Sequence, residues 1–135
     1  MNHRHNPTAL RASTARRDRG ICSSCGLDCG ALEVFREAAF QWLLDTAPVF
    51  DRGARPAWAH AQLALLLHAA EMPMGPLWIA DHRVPFEMGG ADQLSNIQTL
   101  CWLCNKKKTR GDVWMICKAQ RIQAKGPRKH FGFGR

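Results

Sequence analysis

The sequence predicts one small α+β domain, and three observations indicate that fold class. At 135 residues the chain has room for one modest hydrophobic core but not for two domains. Two short apolar runs, 77–81 and 97–100, have the length of strands and precede a helical stretch. Two Cys-x-x-Cys motifs bracket a long helical segment, 31–76. We therefore expect a single domain over 21–125, in which the two cysteine motifs meet.

Both ends of the chain are predicted to be basic and flexible. Residues 1–20 carry five Arg against one Asp and show no sustained periodicity. That pattern is typical of a disordered start, and it equally fits a basic arm that follows a nucleic-acid backbone. The tail 126–135 is Gly-rich and basic, and we expect it to be loose.

Charge is distributed unevenly over the sequence. The formal net charge is +8 and the pI is near 9.7, which favours an acidic partner, nucleic acid first. Residues 106–135 hold ten Lys or Arg against one Asp, whereas 31–96 hold eight Asp or Glu against four Arg. No apolar run reaches membrane-spanning length, and no apolar h-region follows the start. We therefore expect a cytoplasmic protein without membrane contact.

The segment between the cysteine motifs is predicted to be an inserted helical hairpin. A first helix from Ala31 to Ala47 should end at Pro48 and the turn that follows it. A second helix from Pro56 to Glu71 is apolar on almost all sides, so it is either buried or covers a partner protein or a second copy. The apolar stripe expected on the first helix consists of Leu32, Phe35, Ala39 and Leu43.

Two strands and two helices are predicted in the C-terminal half. The strands run from Leu77 to Asp81 and from Ile97 to Leu100, and Gly89-Gly90 marks the loop between them. A helix from Trp102 to Thr109 follows, and Gly111-Asp112 is expected to break it. A last helix then runs from Val113 to Ala124, with core positions predicted at Val113, Ile116 and Cys117. We expect core packing rather than base stacking for the five tryptophans, Trp42, Trp58, Trp78, Trp102 and Trp114.

The two Cys-x-x-Cys motifs supply four candidate zinc ligands, Cys22, Cys25, Cys101 and Cys104. Four soft thiolates suit tetrahedral Zn²⁺, and such a site adds folding free energy to a small domain. Four protein ligands leave no open position, so the zinc would be structural. Cys29 is a rival ligand, although its spacing fits less well, and the alternative reading is a set of unpaired buried cysteines.

Residues 81–109 form the most distinctive string of the chain, DHRVPFEMGGADQLSNIQTLCWLCNKKKT. The Asp-His pair, the Gly-Gly turn, the Ser-Asn run and the Cys-x-x-Cys-Asn segment resemble the core of the HNH endonucleases, the ββα-metal nucleases. This resemblance implies a ββα-metal core over 77–110, extended by the zinc knuckle and by the inserted helical hairpin. It also implies metal-dependent hydrolysis of DNA phosphodiester bonds that yields a 5′-phosphate and a 3′-hydroxyl.

The resemblance carries roles to four residues of this sequence. His82 matches the general base, and an imidazole is suitable because its ordinary pKa lies near neutrality. Asp81 and Asn105 match the ligands of one divalent ion, and Asn96 matches the residue that holds the loop between the strands. Hard oxygen ligands suit Mg²⁺ or Mn²⁺. Asn105 stands where many members have His, which shifts the expected site away from nickel or zinc. The alternative is that Asp81 and His82 are a surface pair at the end of a strand, with no part in metal binding or catalysis.

Five cations near this string are candidate phosphate contacts: Arg83, Lys106, Lys107, Lys108 and Arg110. Their alternative role is a solvated helix face. DNA is the expected partner, and RNA is not excluded by the sequence. Two other functions stay open: a zinc-stapled nucleic-acid-binding module without catalysis, and a subunit of a phage, restriction or defence assembly that docks through the helix around Leu63–Leu67.

Overall fold

The computed structural model describes residues 7–48 and 51–125, and within those ranges the chain forms four helices and a two-stranded sheet. Short 3₁₀ turns at Phe86–Met88 and Leu94–Asn96 lie in the loop between the strands. The main elements are α1 (Pro7–Asp18), α2 (Cys29–Thr46), α3 (Arg55–Ala69), β1 (Trp78–His82), β2 (Ile97–Cys101) and α4 (Trp102–Lys125). This mixture of helices with a small sheet confirms the predicted α+β class.

The sheet consists of β1 and β2 in antiparallel register, with Trp78 opposite Cys101 and His82 opposite Ile97. Four of the five β2 residues are buried, so the strand lies inside the domain. The Asp-His pair therefore stands at the end of β1 that faces the inter-strand loop. At the other end of the sheet, α4 begins directly after β2, in the middle of the second cysteine motif.

Two clusters of buried side chains hold the domain together. The main cluster joins the first cysteine motif to the sheet and includes Cys22, Leu77, Trp78 and Leu100. The second lies between α2 and α3, which form the predicted hairpin with a small core of their own. Its buried members are Leu43, Ala59, Leu63 and Leu67.

The hairpin faces differ in part from the prediction. Leu63 and Leu67 pack against α2 and so are not a free docking surface, whereas their neighbours Leu65 and Leu66 are exposed. Phe35 was predicted on the apolar stripe of α2 and is instead exposed. This prediction was wrong because α2 packs on α3 through a narrow face centred on Leu43.

The predicted flexible arm contains a helix, α1, and this part of the prediction was wrong. The Arg17 guanidinium donates to the backbone carbonyls of Leu94 and Ile97, each at 2.8 Å. Asp18 accepts a hydrogen bond of 2.7 Å from the Thr99 hydroxyl, and its hydrogen bond with Arg17 is the main cause that lowers the pKa of its carboxyl. These partners lie about eighty residues away, so the local sequence does not reveal them. Residues 1–6 and the predicted loose tail 126–135 lie outside the described residues.

The C-terminal half also corrects a prediction, because α4 is one helix of 24 residues rather than two. Gly111 does not break it: a glycine within a helix costs only about 1 kcal/mol relative to alanine. Asp112 does not cap a new helix but pairs with Lys108 one turn earlier. Val113 and Cys117, predicted to face the core, are exposed because the far half of α4 extends beyond the sheet.

Exposure of the tryptophans is mixed. Trp78 is buried in the main cluster, and Trp58 and Trp102 are half-buried. Trp42 and Trp114 are each 63% exposed, so the expectation of core packing was wrong for these two. None of the described helices is long and apolar enough to cross a membrane.

Two glycines provide a matched test of this packing. A Cβ on Gly90 would lie 1.8 Å from the Val84 carbonyl oxygen, whereas a Cβ on Gly111 would meet nothing within 4 Å. We expect Gly90→Ala to destabilise the protein by about 1–3 kcal/mol or more, because backbone must move to admit the methyl group. Gly111→Ala should instead stabilise by about 0.5–1 kcal/mol through helix propensity. Urea unfolding of both variants measures the difference, and shifts of the same sign would contradict the described geometry.

Candidate active site and metal centre

The four cysteines of the two motifs come together at one end of the sheet. Their sulfur atoms all lie within 4.8 Å of one another, and Cys25 Sγ is 3.8 Å from Cys101 Sγ. The predicted grouping is thus confirmed, and Cys29 is not part of it. A cluster of four thiols with this spacing could hold a metal ion such as zinc.

Backbone hydrogen bonds shape the first half of the cluster. The Cys22 amide donates to the Leu27 carbonyl, and the Gly26 amide donates to the Cys22 carbonyl, each at 2.8 Å. Gly26 closes this turn with a φ of +76°, a conformation that glycine adopts without strain. The Ser23 amide donates to the Thr99 carbonyl on β2 at 2.8 Å, which fixes the turn against the sheet.

Ionisation of the cluster is uneven. Burial opposes the charged form of Cys22, but backbone hydrogen bonds from Cys101, Cys25 and Ser24 outweigh it and lower the pKa of this thiol to about 6. Burial is the largest cause that raises the pKa of Cys101 to about 12. One thiolate is therefore stabilised by the protein alone, whereas a full set of four needs a bound cation to offset their repulsion.

Cys29 shows the contrasting behaviour of a core cysteine. It is fully buried at the start of α2. Burial, followed by the negative charges of Cys22 and Cys25, raises the pKa of its thiol to about 11. A neutral thiol of this kind packs as a small apolar group.

The second constellation begins at Asp81 and His82 at the end of β1. His82 Nε2 lies 3.0 Å from Asp92 Oδ1, in the loop before β2. An ionised carboxylate only accepts hydrogen bonds, so a contact with it makes Nε2 the donor, and a neutral ring would then have its lone pair on Nδ1. Asp92 was not predicted; its signal in the sequence is only an acidic residue two positions after the Gly-Gly turn.

Asp81 faces α4, and its Oδ2 atom is buried without a hydrogen-bond partner among the described residues. Lys108 Nζ lies 2.9 Å from this oxygen, so the two attract as charges although their geometry is not that of a hydrogen bond. The same ammonium contacts Asp112. Burial acts to lower the pKa of Lys108, but the carboxylates of Asp112 and Asp81 raise it. Asp112 is a second acidic residue of the site that the sequence did not reveal.

A cleft of about 430 Å³ opens between the end of β1 and α4. Its lining includes Asp81, His82, Glu87, Lys108 and Asp112. Asn105 is not one of the residues that line this cleft. It is half-buried on α4, one turn before Lys108 and therefore on the same side of the helix. The structure thus brings Asp81 and His82 into one cleft and places Asn105 next to it.

Asn96 clamps the loop that joins the strands. Its Oδ1 accepts from the Val84 amide at 3.0 Å, and its Nδ2 donates to the carbonyls of Val84 and Ala91 at 3.1 and 2.9 Å. Its own carbonyl accepts from the Arg83 amide at 2.7 Å. The backbone directly after His82 is thereby fixed from two sides.

The predicted phosphate contacts divide into two groups. Lys106, Lys107, Arg110 and Arg83 are exposed to solvent. Lys108 is half-buried, and its ammonium is held by the two carboxylates of the cleft. The four exposed side chains are accessible to a polyanion, whereas Lys108 is already paired.

Comparison with known proteins gives three results. Residues 70–111 match the family model described as HNH endonuclease. The mouse protein "DNA annealing helicase and endonuclease ZRANB3" is 35% identical over 111 residues, covering 78% of this chain. The chain spans only 10% of the length of that relative. A crystal structure of the human ZRANB3 HNH domain superimposes with a TM-score of 0.52 at 23% identity, covering 84% of this chain and 95% of that one, which shows a shared fold.

Proposed function

The chain belongs, through residues 70–111, to the HNH endonuclease family, and from this premise we propose that it hydrolyses DNA phosphodiester bonds. In this proposal His82 is the general base, and Asp81 with Asn105 holds one divalent ion. The observation that carries the proposal is that His82, which pairs with Asp92, lines the same cleft as Asp81, whose buried Oδ2 accepts no hydrogen bond. The products would be a 5′-phosphate and a 3′-hydroxyl.

The role of His82 follows from its contact with Asp92. Because Nε2–H is directed to the carboxylate, Nδ1 is the atom that accepts a proton from water. The same carboxylate stabilises the imidazolium that results, and it holds the ring in one orientation. Asn96 contributes by fixing the backbone that follows His82.

The donor set of the cleft fits a hard divalent cation such as Mg²⁺ or Mn²⁺. The buried Oδ2 of Asp81 lacks a hydrogen bond, and the side chain of Asn105 makes none to any residue within 7–48 and 51–125. Both side chains offer the hard oxygen ligands that such an ion prefers, and Lys108 is the described cation that already contacts one of them. When bound, the ion supplies neutralisation of the charge that develops on the phosphate. Lys108 offsets the charge of Asp81, so its ammonium competes with such a cation for the carboxylate.

We further propose that the four-cysteine cluster holds a structural zinc ion. The protein supplies all four sulfur ligands, and the distances between the sulfur atoms, all within 4.8 Å, suit tetrahedral coordination. Cys104 precedes Asn105 in the first turns of α4, so the ion would fix the helix end that carries the proposed ligand. Four exposed cations are suited to contact DNA phosphates: Arg83, Lys106, Lys107 and Arg110.

A plasmid assay tests the proposal. We expect zinc-loaded protein to convert supercoiled DNA to nicked or linear product when Mg²⁺ or Mn²⁺ is added, and to leave it intact when neither is added. DNA ligase should reseal the nicks, because it joins a 5′-phosphate to a 3′-hydroxyl. If the protein has its full zinc content and the plasmid still stays supercoiled with either ion, the proposal is wrong.

A second candidate function is nucleic-acid binding without catalysis. One observation favours it: the ammonium of Lys108 already neutralises Asp81, which would make a divalent ion unnecessary for the fold. Under this alternative the protein would bind DNA without added Mg²⁺ or Mn²⁺ and would cleave it with neither ion. Cleavage with either ion would exclude it.

A further inference from the structure

The far half of α4 carries a stripe of basic and aromatic side chains, of which the proposed function uses only Arg110. This stripe consists of Arg110, Trp114, Lys118 and Arg121, spaced four, four and three residues apart, so they lie along one side of the helix. All four are exposed, and the Trp114 ring is 63% accessible. Lys118 Nζ lies 4.9 Å from the centroid of this ring, so the ring already contacts one cation.

Beyond Asp112 the charge on this part of the chain has one sign. Asp112 is the last acidic residue of the sequence, and every charged side chain after it is Lys or Arg. Asp112 itself is paired with Lys108, so the charges of the stripe are those of its three cations, and a cationic helix face attracts a polyanion.

The stripe is continuous with the proposed active site. Val113 lines the cleft that contains Asp81 and His82, and it also lines the trough between Arg110, Trp114 and Arg121. Trp114 is six residues beyond Lys108, which places it about 9 Å further along the helix axis. A strand that leaves the cleft past Val113 would come to this ring.

We propose that the stripe binds an unpaired stretch of DNA beside the point of cleavage, an inference that rests on the function proposed above. Trp114 stacks on one base, and the three cations contact the flanking phosphates. Alternating aromatic and cationic side chains along a track is the arrangement by which proteins hold single strands. Within a duplex the base faces are covered by their neighbours, so the ring has no comparable partner there.

A second copy of this chain is the rival occupant, and the charges argue against it. Symmetric pairing of two copies would bring the same patch of each together. Arg110, Lys118 and Arg121 of one copy would then face the same cations of the other. No acidic side chain follows on α4 to offset that repulsion.

The test is a binding measurement on the zinc-loaded full chain without added Mg²⁺ or Mn²⁺, so that no cleavage occurs. Fluorescence anisotropy would follow a labelled oligothymidine and a labelled duplex of equal length. We expect Trp114→Ala to weaken binding of the single strand about 5- to 100-fold, since stacking on one base has that effect. Duplex binding should change far less. Trp114→Phe, which keeps an aromatic face, should recover most of the loss.

Trp42→Ala is the matched control, because Trp42 is equally exposed at 63% but lies on α2. Equal affinity of wild type and Trp114→Ala for the single strand would overturn the inference. So would an equal loss in the two tryptophan variants, or a wild-type dimer in solution that Trp114→Ala dissociates. Binding and cleavage are measured separately, so the two proposals can fail independently. If the wild type cleaves plasmid but Trp114→Ala binds the single strand as tightly as the wild type, only the stacking role of Trp114 is refuted. If binding shows the expected dependence on Trp114 but plasmid is never cleaved, only the proposed nuclease activity is refuted.

Discussion

Replacement of His82 by alanine is expected to slow plasmid cleavage about 100- to 10,000-fold while the fold is retained. The imidazole is the proton acceptor in the proposed mechanism, and alanine leaves water without a base. The fold should survive because the His82 side chain is partly exposed and lies outside both buried clusters. The measurement is the initial rate of supercoiled plasmid loss in Mn²⁺.

His68→Ala is the control for that variant, since His68 is exposed on α3 and is not one of the residues that line the cleft. It should cleave at the wild-type rate. Circular dichroism and zinc content of the two variants should match. A His82→Ala sample as active as His68→Ala would show that the cleavage does not depend on this imidazole.

Replacement of Cys101 by serine is expected to release the proposed zinc ion and to unfold much of the domain. Cys101 is buried, and its sulfur lies at the junction of the cysteine cluster and the main core. Loss of a structural metal is among the changes that cost more than about 4–5 kcal/mol. Since a domain of this size is stable by only about 5–15 kcal/mol, the variant should be largely unfolded at physiological temperature. Thermal unfolding and metal analysis of the purified variant measure both effects.

Cys117→Ser is the matched control, because Cys117 is an exposed cysteine on α4 outside the cluster. It should keep one zinc per chain and the wild-type melting temperature. If Cys101→Ser also kept both, the cluster would not hold a structural metal. Cleavage should fall in Cys101→Ser only as a consequence of unfolding, whereas His82→Ala should lose cleavage alone.

The parts of the fold that were predictable have local signals. Strands β1 and β2 are short apolar runs on either side of a Gly-Gly loop, and their observed bounds differ from the predicted ones by one residue. The four cysteines were predictable because their spacing restricts the partners that each can have. Gly90 belongs to the same group, since only a residue without a Cβ fits against the Val84 carbonyl.

The parts that were missed depend on distant partners. Helix α1 has little amphipathic pattern, and it is fixed by Arg17 and Asp18 through contacts with β2 and the loop before it. Gly111 alone predicts a break in α4, but the pair of Lys108 and Asp112 spans this position and the helix continues.

The acidic partners of the candidate site were missed for the same reason. Asp92 is ten residues from His82, and only the fold of the loop brings the two together. Asp112 reaches the cleft through Lys108, a contact that requires an unbroken helix.

The most direct test of the central claim is a comparison of wild type and His82→Ala, purified in parallel and loaded with zinc, on one supercoiled plasmid with Mg²⁺ or Mn²⁺. The account predicts nicked or linear DNA from the wild type, dependent on the added ion, and supercoiled DNA from the variant. Intact plasmid in both samples, or equal cleavage in both, would contradict it.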